Sequence, residues 1–155
     1  QSSDEDRIFN IKEFFKEVIM SLHNVLKRTK YSIKLDIDLN LTINSSPGAF
    51  SQILTNLIMN SVIHGFENNE DGEIQIYIEK KDEMLLFIYK DNGKGMDLEA
   101  QKKIFDPFYT TKRNIGGSGL GMSIIYNLIT KKLNGSIKIK SQINDGVELF
   151  ITIPV

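Results

Sequence analysis

The chain has 155 residues, the size of one ordinary domain, and can bury roughly two thirds of its unfolded surface in a single core. Its 19 Lys and Arg nearly balance 20 Asp and Glu, and the net charge of -1 leaves no global field to gather nucleic acid or an anionic membrane. It contains no cysteine, which excludes disulfides, a thiolate metal centre and a cysteine nucleophile, and fits a reducing compartment.

No apolar run approaches the roughly 18 residues of a membrane span. The opening, Gln1 to Asp6, lacks the basic and apolar regions of a signal peptide. Residues 1–7 read as a polar lead-in, and the abrupt start suits a fragment of a longer protein. Ile11, Phe14, Phe15, Val18, Ile19, Leu22, Val25 and Leu26 then recur at helical spacing and predict a first helix over 11–28, with Asn10 and Glu13 as a capping-box-like start. Ile33, Leu35, Ile37 and Leu39 alternate with Lys34, Asp36 and Asp38, the period of a strand with one wet face, and 41–43 predicts another short strand. After the break at Ser45-Ser46-Pro47-Gly48, the set Phe50, Ile53, Leu54, Leu57, Ile58 and Val62 spans one arc of a helix over 49–66. Asn56, Asn60 and His64 run along the border of that arc, and Gly65 stops it.

Two strands follow, over 73–80 and 84–89, joined by the polar turn Lys81-Asp82-Glu83. Residues 90–118 are the longest stretch of irregular pattern, although Met96 to Ile104 has helical character; loops this long in compact domains are functional or disordered. A helix over 120–133 and two strands bounded by Gly135 and Gly146 complete the chain. With no repeat and no linker, this order reads as one layered α/β sandwich spanning 1–155.

Three clusters carry chemistry. Amides at Asn56 and Asn60, one turn apart on a core border, cost free energy unless hydrogen-bonded or ligating, and so ask for a polar partner such as a metal–phosphate group. Asp91-Asn92-Gly93-Lys94-Gly95 sits where a strand ends. Asn-Gly is a strong hairpin signal, but no clear returning strand follows, and a carboxylate beside permissive glycines equally suits an amino group on a planar ligand. Gly116-Gly117-Ser118-Gly119-Leu120-Gly121 leads straight into a helix, where free N–H groups form a phosphate seat. It is neither a P-loop nor a Rossmann fingerprint, because it lacks the Lys-Ser/Thr ending and the immediately preceding strand.

Asn56 and Asn60, Asp91-x-Gly93-x-Gly95, Phe105-x-x-Phe108 and Gly117-x-Gly119-Leu120-Gly121 stand in the order and approximate spacing of the asparagine, first glycine, phenylalanine and second glycine boxes of the GHKL ATPases. Over nearly its whole length the chain resembles the catalytic ATP-binding domain of sensor histidine kinases. The resemblance implies the Bergerat fold, a two-layer α/β sandwich with a mixed, mostly antiparallel sheet of about five strands on three helices. It implies ATP and Mg²⁺ as cofactors, with Asn60 offering its side-chain oxygen to the metal and Asn56 supporting it. Asp91 would accept from the adenine amino group, with Gly93 and Gly95 close to the base. Residues 94–118 would be the ATP lid, anchored by Phe105 and Phe108, which could instead be ordinary core aromatics. Gly117, Ser118, Gly119, Leu120 and Gly121 would bind phosphates. Thr110, Thr111, Lys112 and Arg113 supply hydroxyls and cations within reach of a γ-phosphate, although a basic loop can equally be just solvated. No residue is assigned a certain catalytic role; Thr111 and Lys112 are the candidates.

Asn56 separates members of that superfamily. Gyrase B, MutL, the ninety-kilodalton heat-shock chaperones and the anti-sigma serine kinases generally carry Glu at this position, where it serves as a base. An amide cannot, which disfavours self-contained ATP hydrolysis; histidine kinases commonly have Asn, because a neutral imidazole is already nucleophilic. His64-Gly65-Phe66-Glu67-Asn68 does look locally like the anti-sigma kinases, so a serine kinase and a non-catalytic nucleotide-sensing module stand as alternatives. Neither His23, read as a surface residue, nor His64, read as a phosphate neighbour or a favourable charge at the helix end, has the setting of a phosphoacceptor. The implied partners are a histidine-bearing dimerisation domain of the same protein, absent from this chain, and a response regulator. The implied location is cytoplasmic, with a parent protein that could be bound to the inner membrane. Val147 and Glu148 stand where family members often have a small hydroxyl residue, which puts a phosphate-side contribution from the last strand in doubt.

Overall fold

The computed structural model describes residues 5–27, 29–67, 71–106 and 121–155. Strand β1 (Arg7–Asn10) leads directly into helix α1 (Ile11–Val25). Asn10 caps that helix as its spacing predicts: its Oδ1 accepts the Glu13 backbone N–H at 2.9 Å, while its Nδ2 donates to the Leu39 carbonyl at 2.7 Å. Strands β2 (Tyr31–Ile37) and β3 (Thr42–Ser45) follow. β3 pairs antiparallel with β1, Arg7 opposite Ser45 and Phe9 opposite Ile43, so the polar lead-in is shorter than 1–7 and a two-stranded sheet exists that the periodicity does not predict.

Helix α2 (Pro47–Asn60) starts at a Ser46 cap, whose Oγ accepts the Ala49 N–H at 3.3 Å, with Pro47 in the first turn where its missing N–H is harmless. It runs on as a π-helical turn over Ser61–Gly65. β4 (Gly72–Lys81) and β5 (Met84–Asp91) form a tight hairpin with Asp82 left-handed at φ 56°. After the short helix α3 (Leu98–Lys103) come α4 (Gly121–Asn127), extended by a π-helical turn over Leu128–Lys132, then β6 (Ser136–Ser141) and β7 (Val147–Pro154).

The main sheet has the order β2-β4-β5-β7-β6, parallel only between β2 and β4. It is the mixed, mostly antiparallel five-stranded sheet the resemblance implies. Helices α1, α2 and α4 supply its apolar cover, whereas α3 buries no residue. The core joins Phe50, Ile53, Leu54, Leu57 and Ile58 of α2 to Ile74, Ile76 and Ile78 of β4, Leu85, Phe87 and Tyr89 of β5, and Leu149, Ile151 and Ile153 of β7. Phe15, Phe50 and Phe87 meet at ring-centroid distances of 6.4 and 5.6 Å. Each such side chain contributes about 1.5–3 kcal/mol by leaving water. The opposite face of the sheet stays wet, with Lys34, Gln75, Lys90 and Glu148 side by side across β2, β4, β5 and β7. Among the described residues no helix is long and apolar enough to cross a membrane.

Two polar residues occupy core positions at one end of this sandwich. The two-residue period of β5 buries Leu85, Phe87 and Tyr89 and then, at the same parity, Asp91. On α2, Ser61 lies four residues past Leu57 and is 3% exposed. Helix and strand therefore aim a hydroxyl and a carboxylate at one another.

Candidate active site

Asp91 is 5% exposed and its carboxylate is held from three sides. Oδ1 accepts the backbone N–H of Gly93 at 3.0 Å and of Val147 at 3.1 Å, and Oδ2 accepts the Ser61 hydroxyl at 2.7 Å. A carboxylate has about four acceptor positions, so one remains, on Oδ2. Beside that oxygen lies Gly65, where a Cβ would stand 3.4 Å away. Behind Ser61, the Tyr89 hydroxyl lies 2.6 Å from its Oγ and 3.0 Å from the Leu57 carbonyl. Burial raises the Tyr89 hydroxyl well above its ordinary pKa; the Ser61 hydrogen bond pulls it down and the Asp91 charge raises it further, and the phenol stays protonated.

The chain leaves Asp91 in a loop rather than a hairpin. Neither Asn92 nor Gly93 has the positive φ that a type I′ Asn-Gly turn requires. Asn92 instead ties back to β4: its N–H donates to the Glu73 carbonyl at 3.2 Å and its Oδ1 accepts the Glu73 N–H at 2.8 Å. Gly93 is pressed against the end of α2, where a Cβ would come within 2.6 Å of the Gly65 carbonyl oxygen. That same oxygen accepts the Lys94 N–H at 2.9 Å, and the Lys94 ammonium pairs with Glu67 at 2.8 Å. Gly95, at φ 70°, faces the Gln142 carbonyl so closely that a Cβ would collide with it. The β6–β7 turn closes the loop from outside. Asn144 donates its N–H to the Lys94 carbonyl at 2.6 Å, and Ser141 accepts the Met96 N–H at 2.8 Å while giving its own proton to the Gly146 carbonyl at 2.6 Å.

Asn60 lies one residue before Ser61 at the end of α2, half-buried, with its Nδ2 fully enclosed and without a hydrogen-bond partner. The start of α4 stands over it: a Cβ on Gly121 would lie 3.3 Å from Nδ2 and 3.5 Å from Oδ1. Asn56 and His64 are half-buried on the same helix and its π turn. Phe105 is half-buried and packs on Tyr126 of α4, ring centroids 5.1 Å apart. The structure thus gathers Asn60, Asp91, Gly93, Gly95 and Gly121 at one end of the sandwich. Phe108, Thr110, Thr111, Lys112, Gly117, Ser118, Gly119 and Leu120 lie outside the described residues.

Among the described residues no cluster of three or more His, Cys, Asp or Glu could hold a metal ion by itself. What is present, one neutral amide beside the bare Gly121, fits Mg²⁺ delivered on a triphosphate rather than a resident metal: Oδ1 could ligate the ion, and the unpaired Nδ2, a donor, could serve a phosphate oxygen. Sequence reasoning missed Ser61, Tyr89 and the Val147 N–H. The first two betray themselves as polar residues at core parity; a backbone donor leaves no trace in the sequence. Through that N–H the last strand reaches Asp91 by its main chain, whatever side chains Val147 and Glu148 carry.

Sequence and fold both match one family. The model of the histidine kinase-, DNA gyrase B- and HSP90-like ATPases matches residues 45–155, and the chain belongs to that ATP-binding family. Sensor histidine kinase YvrG of Bacillus subtilis is 32% identical over 95% of this chain and 25% of its own length. Signal transduction histidine-protein kinase ArlS of Staphylococcus aureus is 36% identical over 84% of this chain and 29% of its own length. The chain thus spans about a quarter of these relatives. The crystallised catalytic domain of histidine kinase ThkA superposes with a TM-score of 0.81 at 28% identity, covering 97% of this chain and 95% of that one. ThkA in complex with response regulator protein TrrA also matches in fold, with a TM-score of 0.75 at 24% identity over 96% of this chain and 41% of that one.

Proposed function

We propose that this domain binds ATP·Mg²⁺ and delivers the γ-phosphoryl group to a histidine on a separate helical domain of the same parent protein, as the catalytic part of a two-component sensor kinase. One observation carries the reading: a buried carboxylate with three of its acceptor positions filled by the protein and the fourth left open beside Gly65. Such a group suits a single N–H donor, and the adenine amino group is one. Asn60 would offer its oxygen to Mg²⁺, supported by Asn56, and the metal would neutralise charge on the triphosphate. Gly117 to Gly121 would seat phosphates, with His64 alongside, and Thr110, Thr111 and Lys112 would reach the γ-phosphate, with Phe105 and Phe108 as anchors of the lid.

With Asn56 in place of Glu, that position offers no carboxylate base to activate water. The site positions the nucleotide and stabilises charge, and the incoming imidazole is the nucleophile. The relatives named above are histidine kinases, which favours this reading over an anti-sigma-type serine kinase or a non-catalytic module. A response regulator is the next acceptor, by analogy with the ThkA–TrrA pair. We place the domain in the cytoplasm, on a parent protein that could be anchored in the inner membrane.

Calorimetry with ATP, with and without Mg²⁺, tests the first step; no heat at millimolar nucleotide would end the proposal. Labelled ATP offered with a helical histidine domain and with a serine substrate tests the second. Acid-labile label on the histidine domain is expected, and phosphoserine alone would overturn the assignment.

A further inference from the structure

Two buried hydroxyls that belong to no motif stand behind Asp91, and the proton of the nearer one can point only one way. An ionised carboxylate accepts and never donates, so Ser61, 2.7 Å from Oδ2, must give its single proton to Asp91. Its Oγ is then an acceptor in the 2.6 Å contact with Tyr89, which must donate. The Leu57 carbonyl, 3.0 Å from the Tyr89 hydroxyl and also accepting the Ser61 backbone N–H, has a second acceptor position and shares the Tyr89 proton with the shorter contact to Ser61. Hydrogen bonds therefore run from Tyr89 to Ser61 to Asp91 through groups that are 1%, 3% and 5% exposed. Linked in series in a dry site, each bond polarises the next.

We propose that Ser61, backed by Tyr89, is the positioning residue that makes Asp91 select a 6-amino over a 6-oxo purine nucleotide, an inference that rests on Asp91 receiving the adenine amino group. The Ser61 proton holds Oδ2 in place at the open position beside Gly65, where a carboxylate oxygen accepts an amino N–H and repels a carbonyl oxygen. Without that proton Oδ2 becomes a buried, half-paired acceptor. No longer held, the carboxylate can turn Oδ2 away from the open position beside Gly65, and the discrimination between an amino donor and an oxo acceptor weakens. The site would then lose its preference without losing its shape.

ATP and inosine triphosphate test this directly, because they share ribose and triphosphate and differ in the 6-substituent and the N1 proton that accompanies it. Effects on metal, phosphates or general folding divide out of the ratio of their affinities. In calorimetry with Mg²⁺, the unsubstituted domain is expected to prefer ATP. Ser61→Ala is expected to lower the ATP-to-inosine triphosphate ratio about tenfold, the scale of one hydrogen bond to a charged group. Tyr89→Phe, which keeps the ring and its packing, is expected to lower it about threefold, and Ser61→Thr to restore it. An unchanged ratio in Ser61→Ala overturns the inference while leaving ATP binding as proposed; should that variant not fold, an unchanged ratio in Tyr89→Phe overturns it instead. An unsubstituted domain that binds both nucleotides equally, or neither, overturns the adenine assignment itself.

Discussion

The two corners of the candidate site are finished to different degrees. At the Asp91 corner each partner the protein contributes is in place: two backbone N–H groups, a hydroxyl and a phenol behind it, packed between the end of α2 and the start of β7. At the Asn60 corner, one residue before Ser61 on the helix, an amide nitrogen is enclosed with no hydrogen-bond partner, under a glycine that sets no side chain against it. The first corner is organised by the fold before any ligand arrives. The second is left for the ligand to complete. Preorganisation where a flat base would dock lowers the cost of ordering on binding, and an unsatisfied amide reserves its hydrogen bonding for the charged end.

Substitutions separate the corners, and the largest effect is expected at Asp91. Asp91→Asn replaces one acceptor oxygen with an NH₂ donor among groups that are themselves donors. ATP affinity should fall at least 100-fold, with a stability loss of about 1–3 kcal/mol for the donors left unpaired. Titration calorimetry and thermal melting read the two losses, and unchanged ATP binding would remove Asp91 from the site. Gly93→Ala comes next. Its Cβ meets backbone, the Gly65 carbonyl at 2.6 Å, which cannot swing aside. Overpacking of this kind costs about 1–3 kcal/mol, and at about 2–4 °C per kcal/mol the melting temperature should fall visibly. An unaltered melting curve would mean that the two glycine backbones are not in contact.

The contrast is sharpest at Asn60. Asn60→Ala removes a carboxamide whose enclosed Nδ2 has no hydrogen bond to lose, so the melting temperature should hold or rise slightly, while the Mg²⁺-dependent part of ATP affinity falls about tenfold. A clear loss of stability with Mg²⁺ dependence intact would reverse the roles assigned to the two corners. The smallest change is expected from Lys94→Ala, which deletes a partly exposed ion pair with Glu67. About 0.5 kcal/mol or less is at stake, and it should vanish in high salt.

What the sequence reveals of this molecule follows the range of the interactions involved. Helices α1 and α2, the Asn10 cap and the β4–β5 hairpin are each written in residues close along the chain, and all can be read from periodicity and local chemistry. β1 cannot, because four residues with one buried side chain become a strand only through pairing with β3, some 35 residues on. The π-helical turns after α2 and α4 likewise leave no periodic mark. Asn60 and Asp91 are legible through the boxes they share with a known family. Ser61 and Tyr89 show only as polar residues at core parity, because the contacts that give them a role span 28 and 30 residues. The hairpin suggested by Asn92-Gly93 does not form because Asn92 spends its side chain prolonging the β4 ladder.

The turn between β6 and β7 has a practical use. Gln142 crowds Gly95, Asn144 bonds Lys94, and Gly146 sits against Asp91, while Ile143 between them is 63% exposed. Since the chain contains no native thiol, Ile143→Cys would create the sole attachment point for an environment-sensitive dye. Tethered on the far side of the loop proposed to meet the base, such a dye would turn nucleotide occupancy into a fluorescence signal without entering the pocket.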